Sequence, residues 1–543
     1  MRSPLRSPAQ GEGTQGFLPQ PGKALAAAAR PAPGKDGALA VPPAALPMLD
    51  AAFDPGADRA AGLALPKTLA DRAAAIRDAF AAPVRVPARL TAVLRPYQHD
   101  GYLWLSRLAA AGLGSCLADD MGLGKTLQLI ALLLARAADG PSLVVAPASV
   151  CGNWRGELRR FAPTLRPIMA WDADADATDA ALAAAGPGDI VIAGYSLLAA
   201  RADAFAARPW NGVVLDEAQA IKNEDTLRAR AVRRLSARFR CAATGTPVEN
   251  RLADIWSLFE FLNPGLLGTP ADFARRFAAD GRPAPALKRL LAPLILRRRK
   301  RDVLDDLPAK TEITLPVLLS DGERAGYETL RRRALENLDR TGGKTNRISI
   351  LAELTRLRRY CCHPSLVLGP GSGIPSAKLD TLLRLLSTLR ENRHRALVFS
   401  QFTDGLAIVR RALDGAGHTH LYLDGQTPSA DRARLVDAFQ RGEGDFFLIS
   451  LKAGGLGLNL TAADYVILLD PWWNPAVENQ AADRAHRIGQ TNPVTVYRLI
   501  ASDTVEERVL ALHAEKRALS ADLLDAASSA PDLTPDLLLS LFQ

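Results

Sequence analysis

Cysteine is scarce in this sequence. Five occur among 543 residues, Cys116, Cys151, Cys241, Cys361 and Cys362, scattered except for the last adjacent pair. That excludes a disulfide framework and points to reduced thiols in a cytoplasmic protein. No CxxC pair or Cys/His array with zinc spacing occurs, so no zinc is expected. Long apolar runs are lacking too: Leu127 to Leu134 is too short to span a bilayer and has Lys125 and Arg136 beside it. The Ala-rich patch Ala24 to Ala29 ends at once in Arg30 and Pro31, which makes a poor secretory signal. The chain reads as neither secreted nor membranous. Aromatics are few, at 6%, but hydrophobic residues at 48% and charged residues at 23% are ordinary for a globular protein. Wholesale disorder and a collagen-like chain are thereby excluded. Acidic residues are the minority, 58 against 67 Lys and Arg, for a net charge of +9. Such an excess suits a polyanionic partner and equally a solvated basic face.

Residues 1 to about 65 are rich in Pro, Gly and Ala and read as a flexible segment. Leu65 to Ala82 has helical spacing. Apolar runs without alternation then follow: Ser142–Ala146, Asp189–Ala193, Gly212–Leu215 and the weaker Arg240–Ala243. Runs of this kind suit strands buried on both faces, hence a parallel sheet covered by helices. The pattern restarts after residue 375 with Ala396–Ser400, Thr419–Leu423, Phe446–Ser450, Tyr465–Leu469 and Val494–Arg498. Between the halves, about 252 to 372 reads mostly helical and carries the charge run Arg297–Arg301. The expected organisation is α/β: an extension over 1–85, a first lobe over 86–250, a helical and basic inter-lobe segment over 251–372, a second lobe over 373–520 and a tail over 521–543.

Three motifs carry chemistry. Asp119-Asp-Met-Gly-Leu-Gly-Lys-Thr126 precedes a helical run and fits a phosphate-cradling loop. Gly122 and Gly124 permit the tight path, Lys125 would reach the β/γ-phosphates and Thr126 would supply an oxygen to Mg²⁺. The GxxxxGK[ST] pattern fails only at its first glycine, which is Asp119. Val213-Val-Leu-Asp-Glu217 runs apolar residues into two carboxylates at a strand end. There Asp216 can hold Mg²⁺ and Glu217 can take a proton from an attacking water. Gln480 to Gln490 contains Arg484 and Arg487, three apart, which on a helix would share one face and could stabilise charge on a transferring phosphate.

With these residues in order, the chain resembles the Swi/Snf-type ATPases, double-stranded-DNA translocases of helicase superfamily 2. The likeness runs from about Leu94 to Leu510. Leu94-Arg-Pro-Tyr-Gln98, Asp119–Thr126, Val145-Ala-Pro147 with Trp154, Asp216-Glu-Ala-Gln219, Thr244–Asn250 and Leu296–Lys310 carry it in the first half. Cys361-Cys-His-Pro364, Val398–Phe402, Leu423-Asp-Gly425, Ser450–Asn459, Asp470–Pro475 and Gln480–Gln490 carry it in the second. The resemblance implies two RecA-like parallel-sheet lobes. It implies ATP bound by Arg95, Gln98, Asp120, Met121, Gly122, Leu123, Gly124, Lys125, Thr126, Gly457 and Gln480, with Mg²⁺ on Thr126 and Asp216. The implied catalytic set is Lys125, Asp216, Glu217, Arg484 and Arg487. Candidate contacts to double-stranded DNA are Pro147, Thr246, Gln401, Lys452, Gly454, Gly455 and Trp473, Trp473 being equally readable as core. The run Arg297–Arg301 either faces DNA or braces the lobes. Gln219 departs from the family's usual His. The implied function is ATP-driven movement along duplex DNA that displaces or remodels a DNA-bound protein or complex, RNA polymerase and repair complexes among the open choices, in the cytoplasm at the nucleoid. A strand-separating helicase on DNA or RNA is the alternative.

Overall fold

The computed structural model describes residues 67–170, 175–245, 252–277, 285–304, 307–340, 347–454, 458–473, 475–512 and 542. The helix expected near Leu65–Ala82 spans Lys67–Ala81. Two parallel sheets follow. The first contains β1 (Ser115–Leu117), β2 (Ser142–Ala146), β3 (Arg166–Met169), β4 (Asp189–Gly194), β5 (Trp210–Asp216), β6 (Ala237–Ala243) and β7 (Ile295–Leu296), in the spatial order β3-β4-β2-β5-β6-β1-β7. The second contains β8 (Lys310–Val317), β9 (Ala396–Ser400), β10 (His420–Leu423), β11 (Phe446–Ser450), β12 (Tyr465–Leu468) and β13 (Val494–Ala501), in the order β10-β11-β9-β12-β13-β8.

The unbroken apolar runs have a direct physical cause. Every residue of β2, β4, β9 and β11 is buried. Along β9 and β11 the side chains alternate between two cores: Leu397, Phe399, Phe447 and Ile449 lie on one face of the sheet, Ala396, Val398, Phe446 and Leu448 on the other. A strand covered on both sides has no polar face to display, so period 2 vanishes from its hydropathy.

Four strands lie outside the sequence expectation. β1 and β7 have three and two residues, too short for a composition signal. β3 is an edge strand with a proline, Pro167. β8 is the informative one. It falls in the stretch expected to be mostly helical, yet pairs with β13 from Lys310 opposite Val494 to Val317 opposite Ala501. It is also an edge strand, so its outer residues face water and Pro316 withholds an N–H at tolerable cost. Residues 297–309 therefore connect the edge strand of one sheet to the edge strand of the other.

The remainder of the middle segment is helical. Helices Asp321–Arg340 and Arg347–Cys362 pack Tyr327, Leu330, Leu354, Leu357 and Tyr360 against Val505, Val509 and Phe542. Cys361 and Cys362 end the second of these helices, both buried, and burial pushes both thiols well up. They pack and do not ionise. No described helix is long and apolar enough to cross a membrane.

Candidate active site

The phosphate-type loop opens where β1 ends. Gly122 and Gly124 take positive φ values of +89° and +74°, and helix Lys125–Ala135 begins directly after. Gly124 needs its missing side chain as well as its conformation: a Cβ there would stand 2.4 Å from Gln98 Nε2. Gln98 is buried, donates to Leu123 O at 3.1 Å and accepts from Arg95 N at 3.0 Å, while Tyr97 Oη donates to Leu123 O at 3.0 Å. The adenine-side motif thus holds the crown of the loop. Lys125 Nζ donates to Asp119 O at 2.7 Å and Asp120 O at 3.3 Å, so the ammonium lies inside the loop's curve. Helix-forming Lys125 and Thr126 place the first free N–H groups of that helix toward the same space.

The missing first glycine has an explanation in charge. Asp119 is fully buried, and its carboxylate accepts from the guanidinium of Arg298, with Nε to Oδ1 at 2.9 Å, and from the Arg298 backbone N at 3.1 Å. Arg298 also bonds to Gln128 Oε1 at 2.8 Å and to Tyr97 O. A buried carboxylate requires such a partner. Sequence spacing alone does not find Arg298, because nothing in a five-residue basic run says which member turns inward.

The acidic pair sits at the end of β5. Asp216 accepts from Trp154 Nε1 at 2.7 Å and from Glu217 N at 2.9 Å, and Tyr195 Oη donates to its carbonyl at 2.8 Å. Burial first, and the neighbouring Glu217 second, raise the Asp216 carboxyl to about 6. Glu217 adopts a left-handed conformation, φ +49°, which for a non-glycine residue costs roughly 1–3 kcal/mol and aims its side chain off the strand line. Gln219 holds it there: Nε2 donates to Glu217 Oε2 at 2.8 Å, and Gln219 Oε1 accepts from Thr244 Oγ1 at 2.9 Å. Gln219 is thus a two-sided bridge from the carboxylate to the end of β6.

Arg484 and Arg487 come from the second lobe, but not from one helical face. The helix Pro475–Ala482 ends before them, and both lie in successive turns. After Ala482 the backbone tightens into i→i−3 turns, Arg484 N to Ala481 O at 3.2 Å and Ala485 N to Ala482 O at 3.1 Å, and the carbonyls of Arg484 and Ala485 are taken by Leu460 N and Gln490 Nε2 instead of by a continuing helix. The turns still bring both side chains to the first lobe. A Cβ on Gly122 would stand 2.8 Å from Arg487 Cβ. Arg484 is buried, Glu217 is near enough to favour its charge, and its Nε and Nη2 have no hydrogen-bond partner among the described residues. Burial, then repulsion from Arg487, bring its guanidinium down to about 10.

The SNF2-related domain matches residues 97–366 and the helicase conserved C-terminal domain matches 377–489. The chain belongs to the SNF2 family. It is 38% identical over 475 residues to YwqA of Bacillus subtilis, an ATP-dependent helicase/translocase by name, covering 84% of this chain and 52% of that protein. It is 38% identical over 441 residues to human SWI/SNF-related matrix-associated actin-dependent regulator of chromatin subfamily A member 1, covering 77% of this chain and 42% of that one. The chain spans about half the length of these curated relatives. The Sulfolobus solfataricus SWI2/SNF2 ATPase core, solved in complex with dsDNA, is 35% identical, with 81% of this chain and 95% of that one covered and a TM-score of 0.42.

In this SNF2 chain the remaining expected residues are distributed as follows. Asp120, Met121, Leu123 and Thr126 belong to the loop and its helix, and Gln480 to the helix Pro475–Ala482. Thr246, Gly455 and Gly457 lie outside the described residues, as does the side chain of Lys452. Pro147 follows β2, Gln401 follows β9, and Lys452 and Gly454 lie in the short helix after β11. These are strand C-terminal ends, the edge at which open parallel sheets bind ligands. Gln401 N donates to Asp470, and its Nε2 is buried with no partner among the described residues. Trp473 is half-buried beneath Arg358, whose guanidinium lies 4.9 Å from the ring centroid. Of the basic run, Arg298 and Lys300 brace the interior, whereas Arg301 is exposed beside Asp302 at 3.5 Å. Arg358 is the site-building residue that sequence reasoning did not name; Trp154 and Asp119 entered it only as motif members without a role, and Arg298 and Lys300 only as parts of a basic run.

Proposed function

We infer that this chain hydrolyses ATP and uses the cycle to move along double-stranded DNA, displacing or remodelling protein bound there. One observation carries the reading: Arg484 is a buried cation with two nitrogens unpartnered among the described residues, within electrostatic reach of Glu217 and on the turns that bring Arg487 against Gly122 of the phosphate-type loop. A buried guanidinium left so is matched by an anion that arrives from outside, and the γ-phosphate of ATP fits that position. Gly122 to Thr126 would bind the phosphates. Glu217, aimed by its left-handed backbone and by Gln219, would accept the proton of the attacking water. Arg484 and Arg487 would stabilise the charge that develops.

The acid pair also suits Mg²⁺. No cluster of three metal-binding side chains occurs among the described residues. Mg²⁺ in phosphoryl-transfer sites takes only one or two carboxylates with phosphate oxygens and water, so Asp216 and Thr126 would suffice. Bound there, the ion would neutralise charge on the β- and γ-phosphate oxygens.

Because the site is split between lobes, turnover requires them to close, and release of phosphate loosens them. Pro147 and Gln401, at strand ends of the two lobes, with Trp473 beyond β12, would grip one duplex by its backbone. The deciding assay compares ATP turnover with duplex DNA, single-stranded DNA and RNA, then tests strand separation. Duplex-selective stimulation without unwinding is expected. Clean unwinding of a plain duplex would favour the helicase alternative, and indifference to nucleic acid would remove both.

A further inference from the structure

Lys300 is almost completely buried between the two lobes. Its backbone N donates to Asp120 Oδ2 at 3.0 Å, which fixes it to the phosphate-type loop. Its ammonium donates to Asp483 Oδ1 at 2.8 Å and to His486 O, which fixes it to the turns that carry Arg484 and Arg487. Its Cε lies 3.5 Å from where a Cβ on Gly122 would be, so the aliphatic stem runs against the loop itself. Burial lowers the ammonium's affinity for its proton, and Asp483 opposes that effect.

The backbone around Lys300 makes this more than a surface pair. Ala118 N donates to Leu296 O at 2.7 Å and Asp120 N to Arg298 O at 2.9 Å. The segment 296–298 is therefore laced to the loop's leading edge. Two residues on, past the extended Arg299 and at the start of the short helix Lys300–Val303, the side chain of Lys300 reaches the other lobe, while Arg298 is spent on Asp119. Loop, inter-lobe segment and arginine turns form one continuous hydrogen-bonded chain.

We propose that Lys300 is a positioning residue that holds the Arg484–Arg487 turns over the phosphate-type loop, so that lobe closure and arginine placement are one event. This rests on the ATPase reading above. Lys300 touches no phosphate in this scheme. It acts through Asp483 and the His486 carbonyl, the residues on either side of Arg484 and next to Arg487. A displaced arginine of about 1 Å is enough to cost roughly 100-fold in rate.

The test uses the full chain with Lys300→Met, Asp483→Asn and Arg487→Ala, alone and paired. Binding of a fluorescent ATP analogue, kcat with saturating duplex DNA, and thermal unfolding are measured for each. Lys300→Met should keep analogue affinity within about twofold while kcat falls about 10- to 100-fold. Pairing it with Arg487→Ala should add little, because both act at one turn. If Lys300→Met does not fold, Asp483→Asn, on the partly exposed side of the pair, should reproduce the loss. Unchanged kcat, a parallel loss of analogue affinity, or fully multiplicative losses with Arg487→Ala would each overturn the proposal. An activity-independent readout separates it from the ATPase reading. All five cysteines are buried, so labels introduced at exposed Arg230 and Arg434 react selectively. The inter-lobe distance distribution should broaden in Lys300→Met; an unaltered distribution rejects the latch even if the wild type hydrolyses no ATP.

Discussion

The amide of Gln219 uses its donor on Glu217 and its acceptor on Thr244. A neutral histidine offers one donor and one acceptor too, but loses the acceptor on protonation, whereas an amide does not titrate near neutrality. Gln219, where the resemblance leads one to expect His, keeps the bridge with a group that does not titrate near neutrality. Gln219→Ala breaks both bonds, each worth about 0.5–1.5 kcal/mol, so turnover should fall roughly 5- to 160-fold with nucleotide affinity kept. Gln219→His should restore turnover at pH 8 and lose it progressively below about pH 6.5, which a pH–rate profile of the two variants checks. Glu217→Gln removes the proton acceptor itself. It should bind nucleotide normally and turn over about 10²- to 10⁴-fold more slowly; single-turnover measurement with labelled ATP reads this directly.

At the scale of elements, legibility followed burial. β2, β4, β5, β9 and β11 were readable because both faces are covered and the runs are uniformly apolar. The loop Asp119–Thr126 and the acids of β5 were readable because their chemistry demands fixed residue types in a short span. β8 was not, since an edge strand mixes charge into its sequence, and Arg298 and Lys300 were not, since their partners lie 179 and 183 residues away. Charge also makes β8 testable. Burial would raise the Glu312 carboxyl, but Lys310 at 2.8 Å and Arg498 at 2.9 Å outweigh it and bring it to about 2. A carboxyl lowered on folding contributes stability that is complete above its ordinary value near 4.5 and is lost as pH falls toward about 2. The shift corresponds to at most about 3 kcal/mol. Glu312→Gln should accordingly unfold earlier in urea at pH 7, and its curve should converge with the wild type near pH 2; a constant gap across that range would remove Glu312 as the source.

The whole molecule is two sheets joined through their edge strands by residues 297–309, and that same connection carries Arg298 to the loop and Lys300 to the arginine turns. A machine arranged this way would have its proposed ATP chemistry at the lobe boundary and its proposed duplex grip at the strand ends of both lobes. If the proposed grip is on backbone phosphates, sequence preference should be weak and counterion release should govern affinity. A net charge of +9 is too small to attract duplex strongly by itself, and what matters is how many phosphates the strand-end residues neutralise. For a duplex held at Z phosphates, the logarithm of the binding constant falls linearly with the logarithm of salt, with a slope of about −0.9Z. The proposed ATP site, built from buried residues of both lobes, would be screened far less. Raising salt should therefore weaken the apparent DNA affinity in the stimulation assay steeply, while kcat extrapolated to saturating duplex stays nearly level. Titrations at four or five salt concentrations separate the two terms. A kcat that collapses together with the affinity would mean that salt acts on lobe closure itself, and the latch at Lys300 would be its first place to look.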